Sequence, residues 1–241
     1  MAFESAIQML EMIEFGTMNG QSALGLGISD IKSQSTVNCA SITGSTSALG
    51  NDSGTALSTV NEINGTYTTY TTADKVAISY RGIENPWGNT WRIVSDCNVY
   101  GNGSMLGGEP YICSNFDYYE TIEENYSPIG FYLPNEQGWI SAMGYGNSNY
   151  DWVYMPIECI NGNSATPVGD NLWVTPNLND VNSTVVGGAW SFGMNVGPFY
   201  YGCDRKHSLQ TSNYNGRIMF IPEENNIYQA NYNTWKSKMG V

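Results

Sequence analysis

"VVGGAWSFGMNVGPFYYGCDRKHSLQTSNYNGRIMF", residues 185–220, holds two kinds of sequence in one run. Its flanks read as architecture: Gly187-Gly188, Trp190, Gly197 and Phe199 on one side, then Gly216-Arg217 leading into the apolar Ile-Met-Phe-Ile of 218–221. The middle, 200–215, mixes Tyr, Cys, Asp, Arg, Lys, His, Ser, Gln, Thr and Asn with neither the two-residue period of a strand nor the 3.6-residue period of a helix. A patternless stretch held in such a frame reads as a surface whose backbone is fixed while its side chains are free to differ.

Outward from this block the chain punctuates itself with Gly, Pro and Asn. Aromatic and β-branched runs at 76–80, 90–94, 129–133, 152–157, 172–174 and 217–221 read as strands. The pairs Asn85-Pro86 and Gly88-Asn89 mark a turn between the first two. At the start, Phe3, Ala6, Ile7, Leu10 and Ile13 form a helical apolar stripe, with Gly16 as its stop. From 25 to 65 large apolar residues are scarce, and a Ser/Thr/Gly-rich loop, hairpin or surface insertion is expected at about 32–72. The expectation is an α+β, β-rich single domain over 1–241, with an N-terminal helix, short antiparallel strands and long loops.

Composition narrows the function. Only 13% of the 241 residues are charged, and the polar role passes to Asn, Ser, Thr, Gly and Tyr, as in loop-rich binding surfaces. A net charge of −13 with nine Lys and Arg argues against phosphate contact, which needs clustered cations; the one close basic group is Arg205-Lys206-His207. No polybasic patch or bilayer-length apolar run points to a membrane. The N-terminus carries acids where a signal peptide needs bases, so synthesis in a reducing cytoplasm is expected. The five cysteines, 39, 97, 113, 159 and 203, are dispersed and odd in number, which fits free thiols better than bridges or a zinc site.

Motifs for chemistry are few. His207 is the single histidine, so a hydrolase with a His base would have to use it; no nucleophile elbow or orienting carboxylate adjoins it in sequence. Phosphate loops, zinc motifs and dinucleotide fingerprints are absent, and the acids near Asp170 and Asp180 read as turns, so no metal and no cofactor are expected. "YRGIENPWGNTWR", 80–92, reads as a core hairpin with packed Trp87 and Trp91 and with Glu84 paired to Arg81 or Arg92.

Three blocks, "MLEMIEFGTMNGQSALGLGI", "YRGIENPWGNTWR" and "GGAWSFGMNVGPFYY…NGRIMFIP", resemble virion proteins of tailed phages and prophages of gut bacteria. Those proteins carry a C-type-lectin-like fold related in outline to formylglycine-generating enzymes. The last block is similar to the variable region of retroelement-diversified proteins such as phage major tropism determinants. The resemblance implies a scaffold at Gly187, Gly188, Trp190, Gly197, Phe199, Gly216 and Arg217. It implies a ligand-binding face at Ser191, Phe192, Asn195, Tyr201, Gly202, Asp204, Arg205, His207, Asn213 and Tyr214. The paired reactive cysteines of the enzymatic relatives are missing, since Cys203 stands without a neighbour near the C-terminus.

The implied role is a non-catalytic virion protein, made in the host bacterial cytoplasm, that binds host-surface glycan or protein and contacts other virion proteins, including copies of itself. Two alternatives stand beside it. One is a capsid decoration or tail component using the domain as subunit glue; an exposed patch at Tyr200, Tyr201 and Tyr214 would favour binding over glue. The other is a carbohydrate-active hydrolase, which would need two carboxylates converging about 5–9 Å apart.

Overall fold

The computed structural model describes residues 1–19, 23–31, 39–61, 67–70, 75–103, 106–119 and 123–217. One α-helix, α1 (Ala2–Phe15), opens the described chain and ends at Gly16 in the left-handed conformation (φ 66°), whose N–H bonds the Met12 carbonyl. The stop is where the sequence puts it, but the buried face is not. Leu10 and Ile13 are 41% and 80% exposed, while Glu4, Ser5, Gln8 and Glu11 are buried beside Ile7. The polar side wins because the sheet beneath it offers partners: Glu4 pairs with buried Arg92, and Gln8 Nε2 donates to the Pro198 carbonyl (3.0 Å) and the Tyr201 hydroxyl (2.9 Å).

The described strands form three sheets. In the first, β1 (Gly54–Ala56) and β5 (Ile83–Glu84) flank β4 (Ala77–Tyr80). In the second, β2 (Ser58–Asn61) pairs antiparallel with β3 (Tyr67–Tyr70). The third has nine strands and contains β6 (Trp91–Tyr100), β7 (Glu109–Ile112), β8 (Ser127–Pro128), β9 (Gly138–Tyr145), β10 (Tyr154–Ile160), β11 (Asn171–Val174), β12 (Val181–Val186), β13 (Tyr201–Arg205) and β14 (Tyr214–Asn215). Its path runs β10-β9-β11-β13-β12-β6-β7-β8, with β14 added beside β6. The sheet is mixed: β11 with β13 and β14 with β6 are parallel, and the other pairs antiparallel. The fold is therefore α+β and β-rich.

Most predicted strands recur with shifted ends: 76–80 as β4, 90–94 as the longer β6, 152–157 as β10 and 172–174 as β11. The run 129–133 does not. Ile129 and Leu133 are both fully buried, but they plug the core from a loop that leaves β8, where their N–H groups bond the carbonyls of Pro110 in β7 and of Gly108 just before it. An apolar run signals burial, and here burial comes without a ladder. Of the strand expected at 217–221, only Arg217 lies within the described residues, outside any strand.

The Ser/Thr/Gly-rich stretch is tied into the body where it is described. Cys39 and Val60 are fully buried in a cluster with Ile28, Ile31, Ala77 and Trp190. The main core lies on one face of the large sheet, built from residues including Val94, Cys97, Ile140, Met155, Leu172, Val186, Phe199, Tyr201 and Cys203. All five cysteines are free, as their dispersal in sequence implies.

Candidate functional site

The turn between β5 and β6 positions the closing block. Asn85 and Asn89 adopt left-handed backbone (φ 47° and 61°), which Asn tolerates better than most residues because its short side chain can bond local backbone. Asn85 Oδ1 accepts from Ile78 N–H (3.2 Å), and Asn89 Oδ1 accepts from Ser41 N–H (2.8 Å). The backbone then reaches two ways: Gly88 N–H to the Gly187 carbonyl (2.8 Å) and Asn89 N–H to the Ile28 carbonyl (2.7 Å). Trp190 N–H returns to the Asn89 carbonyl (3.0 Å), and Trp87 Nε1 donates to the Gly25 carbonyl (2.9 Å). Trp87 and Trp190 are both fully buried.

The ion pairs differ from the sequence expectation. Arg81 pairs with Glu14 (3.0 Å) and Arg92 with Glu4, while Glu84 accepts from Gly44 N–H (2.9 Å) and from Thr46 N–H (2.8 Å) and Oγ1 (3.0 Å). A buried Arg needs a fully desolvated acid facing it, which α1 supplies; Glu84 serves instead as a cap for a neighbouring turn. Arg217 donates to the carbonyls of Glu84 and Asn85, joining the end of the closing block to the same turn.

Asp170, also fully buried, accepts from Phe199 N–H (2.7 Å) and so fixes the entry into β13. From there the chain alternates. Tyr201 and Cys203 enter the main core, while Tyr200 turns to the opposite face of the sheet and packs with Trp91, Val185 and Ala189. Around that second layer stand half-buried Trp173, Phe192 and Tyr214. The Phe192 ring meets Trp91 edge-on at 4.6 Å, Tyr214 lies 5.1 Å from Trp91, and the Arg205 guanidinium sits 5.2 Å over the Trp91 ring. Aromatic and cation–π contacts of this kind each add about 0.5–1.5 kcal/mol to the area they bury.

The expected face is thus only partly a face. Ser191, Phe192 and Asn195 sit half-buried on the turn after Trp190. Asp204 and Arg205 form an ion pair (3.2 Å) at 18% and 29% side-chain exposure. His207 is exposed, and its Nδ1 lies 2.8 Å from Ser183 Oγ. Asn213 offers its carbonyl to Trp91 N–H (2.8 Å), and Tyr214 carries β14 alongside β6. Tyr201 and Gly202 leave the set: both are buried, and Tyr201 donates to the Tyr154 carbonyl (2.6 Å) and accepts from Gln8. Period-two alternation along β13 explains the error, since a patternless composition hides a strand that still has two sides. The patch of Tyr200, Tyr201 and Tyr214 is likewise not exposed as a unit, because the first two are buried within the chain itself. Trp91 and Trp173, which floor the layer, carry no sequence mark that separates them from core tryptophans.

The electrostatics of the layer follow its burial. Burial raises the Asp204 carboxyl above its usual range against the pull of Arg205, and pushes the Tyr214 hydroxyl up to about 12. Burial also holds the His207 imidazole below its usual range, so it is neutral at pH 7. Trp173 Nε1 and Tyr214 Oη are shielded from solvent yet have no hydrogen-bond partner among the described residues. Among the described residues no three of His, Cys, Asp and Glu converge as a metal site would require, and no helix is long and apolar enough to cross a membrane. No family model matches the chain, and neither the curated proteins nor the solved structures contain a match to it.

Proposed function

We propose that the chain is a phage virion protein whose C-type-lectin-like domain binds a host-surface glycan or protein, without chemistry, through the layer around Trp91. The observation that carries this reading is the contrast within one short segment. Trp190, Val196, Phe199 and Tyr201 are buried, whereas Ser191, Phe192, Asn195, Asp204, Arg205, His207, Asn213 and Tyr214 are half-buried or exposed, and Phe192, Arg205 and Tyr214 gather around Trp91. Aromatic rings supply stiff contact area, and the partly exposed polar groups of Asp204, Arg205 and Asn213 supply directional hydrogen bonds. An α-helix on a mixed sheet with long connections fits the expected fold.

Adsorption to gut-bacterial cells and binding to arrayed bacterial glycans test the reading. The combined Phe192→Ala, Arg205→Ala and Tyr214→Ala variant should lose attachment while keeping its melting temperature within a few degrees. Unimpaired attachment would remove the reading. A second reading, subunit glue within the virion, draws on α1: Ala2, Ala6, Leu10 and Ile13 point away from the body at helical spacing, and the last two are 41% and 80% exposed. Polar substitution of Leu10 and Ile13 that blocks particle assembly but not attachment would favour it.

A further inference from the structure

Beside the Trp91 layer, β12 is irregular against both of its neighbours at one residue. Its ladder to β6 slips between Ser183 and Thr184, so that the partner jumps from Asn98 to Val94. Its ladder to β13 slips between Ser183 and Val185, with the partner passing from Arg205 to Gly202. Coincident irregularities re-aim a side chain, and bulges of this kind gather beside reactive sites. Here the side chain is Ser183, 8% exposed, whose Oγ lies 2.8 Å from His207 Nδ1. The two open onto a cavity of about 110 Å³ lined also by Ile93, Val94, Ser95, Asn98 and Tyr119.

We propose that Ser183 and His207 form a nucleophile–base pair that accepts short acyl esters. The Ser183 hydroxyl donates to Nδ1 when His207 carries its proton on Nε2. Attack then forms a bond from Oγ to the acyl carbon as the hydroxyl proton moves to Nδ1. Collapse breaks the bond from that carbon to the leaving oxygen, which departs with the proton from Nδ1. Water adds to the acyl-serine, again giving its proton to His207, and the carboxylic acid leaves as Ser183 recovers its hydrogen. The developing oxyanion is assigned to the carboxamide of Asn98, the cross-strand partner of Ser183 that lines the same cavity. Its small volume fits acetyl or propionyl and excludes the long chains that fill pockets of several hundred Å³. Burial keeps the imidazole neutral around pH 7, the state a base requires. Binding by the Trp91 layer involves no chemistry; the reaction is confined to this cavity, and His207 is the one residue that the two proposals share.

The test treats the full chain with an alkyl fluorophosphonate, maps the adduct by peptide mass, and measures hydrolysis of p-nitrophenyl acetate against p-nitrophenyl octanoate. The adduct is expected on Ser183, with acetate preferred and the rate rising with pH to a plateau reached by about neutrality. Ser183→Ala should abolish both signals, and His207→Gln should slow them by roughly 100-fold or more, within the range a general base contributes. Unchanged thermal melts would show that both variants fold. Absence of a Ser183 adduct in the unmodified protein overturns the proposal, as does labelling at equal rate in His207→Gln or a rate flat between about pH 5 and 8.

Discussion

Tyr200 and Tyr201 adjoin in the chain and are equally closed to solvent, at 1% and 0% exposure, but they enter different environments. Tyr201 joins the main core, where its hydroxyl donates to the Tyr154 carbonyl and accepts from Gln8, whose amide also reaches the Pro198 carbonyl. Tyr200 joins the Trp91 layer, where Trp173 Nε1 and Tyr214 Oη are shielded and have no partner among the described residues. A buried polar group without a partner costs about 1–3 kcal/mol, so the Tyr201 hydroxyl is satisfied where it stands, whereas the Trp91 layer has stabilisation still to gain. One strand thus separates a core in which the Tyr201 hydroxyl is satisfied from a layer that keeps unsatisfied polar atoms among the described residues.

If that division is right, the cost of substitution follows the layer. Trp190→Ala, in the buried frame, should destabilise by about 3–5 kcal/mol in denaturant titrations; a loss below about 1 kcal/mol would break the comparison. Next comes Glu11, fully buried on α1 with neither oxygen partnered among the described residues, whose carboxyl is pushed up to about 8 first by burial and then by Glu14. The folded chain keeps a proton that the unfolded chain releases near pH 4.5, so its stability is full below that value and falls as pH rises towards 8. Glu11→Gln should remove this slope and gain on the order of 4 kcal/mol near pH 9, since each pH unit between the folded and unfolded values is worth about 1.4 kcal/mol. Equal pH dependence in the two proteins would show that Glu11 does not titrate as its burial demands.

Tyr201→Phe should cost about 1–3 kcal/mol, because the Tyr154 carbonyl and Gln8 lose a buried partner. Arg205→Ala should cost less than about 1 kcal/mol, since its ion pair with Asp204 and its stacking on Trp91 are both partly open to water. A cost above that of Tyr201→Phe would place Arg205 in the frame instead. Smallest of all should be the reaction of native thiols. Burial pushes Cys97 and Cys159 up to about 12 and moves Cys203 the same way. A disulfide reagent at pH 8 should therefore react slowly with the native chain and with all five thiols once it is denatured; rapid native labelling of Cys203 would contradict its place in the core.

How far the sequence foretells this depends on whether local chemistry or distant partners decide. The α1 stop at Gly16 and the turn at 85–89 were legible because left-handed backbone selects Gly and Asn locally. The buried side of α1 was not, because Glu4 and Gln8 are buried by Arg92 and Tyr201, which lie 88 and 193 residues away in the chain. Ile129 and Leu133 announced burial but not its form. At the candidate site, Phe192, Asp204, Arg205 and Tyr214 gather where the closing block leads them. Tyr201 and Gly202 do not, because a mixed composition conceals strand alternation. Ser183 gave no signal at all, since its interest arises from ladder slips and from a histidine 24 residues further on.

The packing of Gly202 sets a limit on inheritance. A Cβ there would lie 2.7 Å from Val185 Cγ2, and its neighbours Tyr201 and Cys203 have no access to solvent. A library randomised at codons 201–203 would spend most of its clones on chains that never fold. The same diversity at 204, 205, 207 and 214 would be retained almost entirely by a stability screen. Within 200–215 the fold therefore tolerates variation only from Asp204 onward, and the positions open to change are fewer than the length of the patternless stretch implies.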